Sequence, residues 1–102
     1  MTDVQKDSQP VKKYKANPNF LLREISGEYI LIPIGEVANL SNSVMTLNDT
    51  CQFLWKEFQV PKTIEEVITN AKEAYEDPHN ILEQGVYQFV REYLRIGLLE
   101  EE

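Results

Sequence analysis

The chain contains one cysteine and one histidine among 102 residues, and these scarcities exclude most catalytic chemistry. A single cysteine closes no internal disulfide and ligates no iron–sulfur cluster, which fits a reducing, cytoplasmic setting. Cys51 falls on an apolar helical face, where a small thiol packs well. His79 stands beside Pro78 in a helix-start loop and reads as a solvated or capping residue. The two do not form a nucleophile–base pair by local spacing, and no metal-ligand spacing is present. Glycine is also sparse: Gly27, Gly35, Gly85 and Gly97 never fall at phosphate-loop spacing. Long apolar runs are missing. The longest, Tyr29–Ile34, is too short to span a bilayer, and Met1–Lys15 lacks the apolar stretch of a signal peptide. The expectation is a chain with no membrane segment, no cofactor and no enzymatic activity of its own.

Positive charge is scarce as well. Met1–Asn19 carries four lysines against two aspartates, a net +2, whereas Phe20–Glu102 carries six cations against fifteen carboxylates, a net −9. A phosphate backbone is bound chiefly through lysine and arginine, so this balance argues against nucleic acid and for a protein or peptide partner. The pairs Glu65/Glu66 and Glu76/Asp77 and the run Glu100–Glu102 sit at helix ends or at the terminus. Solvation and helix dipoles explain them without acid–base catalysis.

Organisation along the chain follows from periodicity. Met1–Asn19 has almost no apolar pattern and reads as a disordered tail ahead of one domain, residues 20–102. Phe20–Ile25 and Glu28–Pro33 are β-rich and flank the turn Ser26-Gly27-Glu28, which predicts a hairpin. Both faces of the second strand are apolar, so it is expected to be covered on both sides or close to it. Gly35–Ser43 is a turn-rich connection that Val37 and Leu40 would pin to the core. Val44–Leu47 is a short strand running into a helix over Asn48–Phe58, with Asn48 as its cap and Cys51, Leu54, Trp55 and Phe58 on one face.

Thr63 and Glu66 form a capping-box pattern opening a second helix, with a buried face of Val67, Ile68, Ala71, Ala74 and Tyr75 and an end at Asp77-Pro78. A third helix is expected from Asp77–Asn80 to Ile96, closed by Gly97 at the left-handed position after its end. Its apolar face is wider than packing on one neighbour requires. A core centred on Leu82, Val86, Phe89 and Tyr93 leaves the flank of Tyr87, Val90, Arg91 and Leu94 free for another surface. Leu98-Leu99 would continue as a short extended segment.

Leu22-Arg23-Glu24, Gly27-Glu28-Tyr29, Leu47-Asn48 with Trp55, Glu66-Val67 and Gly97-Leu98-Leu99 occur in an order and spacing that resembles the family of pyrroloquinoline-quinone biosynthesis protein D. The members of this PqqD-like family are small peptide-recognition modules, or RiPP recognition elements, of modified-peptide pathways. The likeness covers about residues 20–99. It implies an α+β, winged helix-turn-helix-like fold, with a three-stranded antiparallel sheet followed by three helices. It also implies a leader-peptide-binding chaperone that presents a precursor peptide to a modification enzyme, usually a radical S-adenosylmethionine enzyme.

In that family the leader adds as a strand to the third strand of the sheet and rests against the third helix. Carried onto this sequence, the peptide-binding residues are Val44, Met45, Thr46 and Leu47 on the strand, with Tyr87, Val90, Arg91 and Leu94 on the helix. Arg91 would then meet a peptide carboxylate. An exposed edge also admits a second copy, so monomer and edge-strand dimer are both open.

Two other readings share the outline. A protein-docking adaptor would use the same groove for a partner's strand. A winged-helix DNA-binding regulator would need base-reading and phosphate-binding side chains on its second helix, where Lys72 and Asn70 face Glu65, Glu66, Glu73 and Glu76. With a DNA duplex at low salt, fluorescence anisotropy is therefore expected to show no tight, salt-sensitive binding. Such binding would restore the regulator.

Overall fold

A computed structural model describes residues 11–36, 38, 44–77 and 79–102. Met1–Pro10, the linker positions Val37 and Leu40, Ser43 and Pro78 lie outside the described residues, and with them the expectations placed on them.

Strand β2 (Phe20–Ile25) and strand β3 (Glu28–Pro33) pair antiparallel from Phe20↔Pro33 to Ile25↔Glu28. Ser26 (φ 53°) and Gly27 (φ 82°) both take left-handed backbone. That is the two-residue, primed type of turn whose twist matches the strands it joins, so Glu28 belongs to the strand and not to the turn. Strand β4 (Met45–Leu47) pairs antiparallel with β3 through Tyr29↔Leu47, Ile30↔Thr46 and Leu31↔Met45. The sheet order is β2-β3-β4, so β4 is an edge.

Cross-strand partners share a face. Leu22, Leu31 and Met45 form one inward row, and Tyr29 and Leu47 belong to another, with Leu31 and Leu47 in the core. The opposite face carries Leu21, Ile25, Ile30 and Ile32. Among the described residues the core covers one side of the sheet, and on the other side Ile30 and Ile32 of β3 are partly covered while Leu21 and Ile25 of β2 are not. Three helices follow β4 in sequence among the described residues, and their core residues join Leu31 and Leu47 of the sheet.

Helix α1 (Asp49–Glu57) starts where Asn48 Oδ1 accepts the Cys51 N–H at 2.7 Å. Helix α2 (Ile64–Ala74) opens with both halves of the capping box: the Glu66 N–H donates to Thr63 Oγ1 at 3.0 Å, and the Thr63 N–H donates to Glu66 Oε1 at 2.9 Å. Val67 and Ala71 are buried, but Ala74 and Tyr75 are exposed. The helix ends at Ala74, short of Asp77, because Tyr75 turns to extended backbone and sets its ring edge-on to Phe53 at 5.3 Å.

Helix α3 (Leu82–Arg95) begins later than expected. Asp77 accepts N–H bonds from Ile81 at 2.8 Å and Leu82 at 3.3 Å across Asn80, whose φ is 55°. Its end is a Schellman motif: the Leu98 N–H reaches the Tyr93 carbonyl at 2.8 Å and the Gly97 N–H the Leu94 carbonyl at 3.2 Å, with Gly97 at φ 82°. Trp55, Phe58, Phe89 and Tyr93 form the centre of the core. Phe89 stacks on Tyr93 at 3.8 Å and on Phe58 at 6.2 Å.

The tail reading is corrected for its second half. Strand β1 (Tyr14–Ala16) pairs antiparallel with strand β5 (Leu99–Glu101), in a register running from Tyr14↔Glu101 to Ala16↔Leu99. Its other side is held by the Tyr14 N–H on the Lys62 carbonyl at 2.9 Å and the Ala16 N–H on the Phe58 carbonyl at 2.7 Å. Ala16 is 4% exposed, and Tyr14 joins the core. The lysines flanking Tyr14 hide a strand too short to show a period, and its partner lies at the far end of the chain. A charge at position 16 would be buried without a counter-ion, so Ala16→Asp is expected to lower unfolding stability by about 2–4 kcal/mol in urea. A disordered tail would leave it unchanged.

Candidate functional site

Strand edges present unpaired N–H and C=O groups, which template a further strand. Strand β4 has β3 on one side and no partner strand on the other among the described residues. Of the expected strand residues, Val44 is exposed just ahead of it, Met45 packs half-buried on the core, Thr46 points outward, and Leu47 is buried. The backbone of this segment is thus held in place by Met45 and Leu47 while its outer side stays open.

The helical half of the expected site is arranged otherwise. Val90 is 3% exposed and belongs to the core, and Leu94 packs half-buried against it. Tyr87 lies beside Glu65 of α2; burial pushes its hydroxyl pKa up, and Glu65 and Glu83 add to the shift. This flank is where α2 packs along α3. Tyr87 and Arg91, both exposed, line a polar depression of about 590 Å³ with Asn80, Glu83, Gln84 and Gln88.

A second, more apolar depression lies on the flank of α3 that faces the start of α1. It is a groove of about 360 Å³ between Asn48, Thr50, Cys51 and Leu54 on one wall and Gly85, Gln88, Phe89, Glu92 and Tyr93 on the other. Asn48 directly follows β4, so the groove begins where the open edge ends. Positions 85, 88, 89 and 92 recur at i, i+3, i+4 and i+7, a stripe visible in the sequence. What the sequence does not say is which stripe α2 covers.

The polar atoms of the groove are few. The Tyr93 hydroxyl is buried and has no hydrogen-bond partner among the described residues. Cys51, half-buried, is its neighbour, close enough for each to shift the other's titration. Burial pushes the Cys51 thiol up from its ordinary 9.0, with Tyr93 partly opposing. Burial pushes Tyr93 well above its ordinary 10.0, and Cys51 adds to that. The Arg95 guanidinium, 2.7 Å from Glu92 Oε1, holds that carboxyl below the usual range.

Among the described residues, no group of three or more His, Cys, Asp or Glu residues is placed to hold a metal. No helix there is long and apolar enough to cross a membrane. The site thus offers backbone hydrogen bonding, an apolar floor and a buried hydroxyl, which suits it to hold an extended chain.

Both raised groups favour their protonated forms in the fold. Their contribution to stability is complete below the ordinary thiol and phenol values and is lost as pH rises past them. The melting temperature is expected to fall above about pH 9, where these groups ionise in the unfolded chain. Iodoacetamide is expected to label Cys51 at pH 8 more slowly than it labels a small free thiol. A pH-independent melting point through pH 10 would contradict the burial of both groups.

Comparison with known proteins gives two findings. The family model described as Coenzyme PQQ synthesis protein D (PqqD) matches residues 26–99. The solved structure of TbiB1 in complex with the TbiA(beta) leader peptide shares the fold at a TM-score of 0.66 and 19% identity, covering 84% of this chain and 94% of that one. No curated protein matches the chain in sequence.

Proposed function

Because the chain belongs to the PqqD family, we propose that it is a leader-peptide-binding chaperone, holding a ribosomally made precursor peptide for a partner modification enzyme. The observation that carries this reading is the open edge of β4 leading into the groove between α1 and α3. A leader segment entering as a fourth strand would pair its backbone with Met45–Leu47. Main-chain bonds of this kind supply affinity without regard to side chains, and the groove beside them supplies selection. The fold likeness to a protein solved with a leader peptide supports the same reading.

The chemistry then belongs to the partner, in this family usually a radical S-adenosylmethionine enzyme. The contribution of this chain is proximity: a captured leader turns the encounter of enzyme and peptide into an effectively intramolecular event. A second copy of the chain adding to the same edge would compete with the peptide for it.

Alternate residues of a strand send their N–H groups to opposite sides. Of Met45→Pro and Thr46→Pro, one therefore removes a donor from the open edge and the other breaks the pairing with β3. The edge variant is expected to lose binding of a synthetic leader from a short precursor encoded beside the gene, with helix content by circular dichroism near wild type. In an amide chemical-shift titration of the wild type, the shifts are expected at Val44–Leu47 and along the α1-facing side of α3. Unchanged affinity in both proline variants would remove strand addition.

A further inference from the structure

Gly85 stands in the middle of α3, where glycine is a poorer helix former than alanine. Nothing in the fold demands it. Its backbone is helical, and a Cβ built there would meet no atom within 4 Å. The missing side chain keeps open a saddle between two depressions. On one side lies the groove described above. On the other, a pocket of about 160 Å³ is formed among α1, α2 and α3, and the two share Thr50, Leu54 and Gly85.

The second pocket differs from the groove in character. Its walls include Phe53, Leu82 and Val86, and no charged side chain lines it. At its mouth stand Ile81, 60% exposed, and Tyr75, also exposed, both larger and more apolar than a solvent-facing position calls for. An apolar cavity of this size accepts a benzene-sized group. From Ile81 to Tyr93 the furrow follows about 18 Å of helix, which an extended peptide covers in about five or six residues.

We propose that this pocket is an anchor subsite for one leucine-, isoleucine- or phenylalanine-sized side chain of the same peptide that adds to β4. The peptide crosses the saddle at Gly85 to reach it. The inference rests on the peptide-binding reading and adds a recognition element to it. Charge restricts the occupant further. The charged residue lining the groove is Glu92, paired with Arg95, and the fold from Phe20 onward carries a net −9. The segment crossing the saddle is therefore uncharged or basic, and an acidic leader is disfavoured there.

The saddle can be closed without harming the fold. Gly85→Ala is expected to raise the melting temperature by about 3–6 °C through helix propensity. Gly85→Leu is expected to fold at least as stably as the wild type and to bind the fluorescein-labelled synthetic leader about tenfold or more weakly, the loss expected when a large apolar side chain is shut out. In the leader, changing the large apolar residues to alanine one at a time is expected to reveal one position that costs a similar factor on the wild type and nothing further on Gly85→Leu. That coupling supports the anchor pocket.

Wild-type affinity in a folded Gly85→Leu variant would overturn the anchor, while loss of binding in the β4 proline variant would leave the peptide reading in place. Absence of binding to the wild-type chain would overturn both.

Discussion

The packing of four aromatic rings between α1 and α3 is the contact on which the rest of the molecule depends. Trp55 comes from the first helix and Phe58 from the residue that caps its end, Phe89 and Tyr93 come from the third, and Phe89 stacks on both Phe58 and Tyr93. Rings of this size dominate the apolar area a small domain can bury, and here they fix where the two helices meet. The inward face of the sheet closes over them through Leu31 and Leu47. At one end of the column, Ala16 and Leu99 bring the two termini together as β1 and β5. At the other, α1 and α3 have no side chain at position 85 to close the gap between them, and the furrow follows.

A core this spare constrains function as well as stability. A domain of this length buries only about two-thirds of the surface of its unfolded chain, which leaves little room for an enclosed catalytic cavity. What it readily offers is an unfinished sheet. Strand β4 is three residues long, anchored through Met45 and Leu47, and unpaired on its outer side among the described residues. In the proposed reading its outer side would supply main-chain bonding and the α1–α3 furrow side-chain selection, two components of peptide recognition that normally operate together. The buried Tyr93 hydroxyl beside Cys51 has no hydrogen-bond partner among the described residues and lies on the wall of that furrow.

The elements that could be read from the sequence are those set by local chemistry. Asn48 caps α1, Thr63 and Glu66 box the start of α2, and Gly97 ends α3 with a positive φ, each because a side chain or a missing Cβ satisfies backbone groups within a few residues. The hairpin was legible for the same reason, although Ser26 takes left-handed backbone with Gly27 and shortens the turn by one residue. The failures have a different origin. Tyr14–Ala16 is a strand only because Leu99–Glu101 and Lys62 lie beside it. Val90 was expected on a free flank and lies in the core, because α2 packs on that side of α3.

The sequence by itself determined the family likeness, the three capped helices, the hairpin and a short strand followed by a helix, together with a net negative charge from Phe20 onward. These rest on interactions within a turn or two of chain, where residue type and spacing are sufficient. Only the tertiary structure decided that a groove runs between α3 and the start of α1, that Tyr14–Ala16 pairs with Leu99–Glu101, and that Gly85 lies between two depressions. Each of those depends on how α2 and the termini pack against α3, and helical periodicity is blind to that. A helix with apolar residues over most of its circumference has two equivalent sides until a neighbour covers one of them.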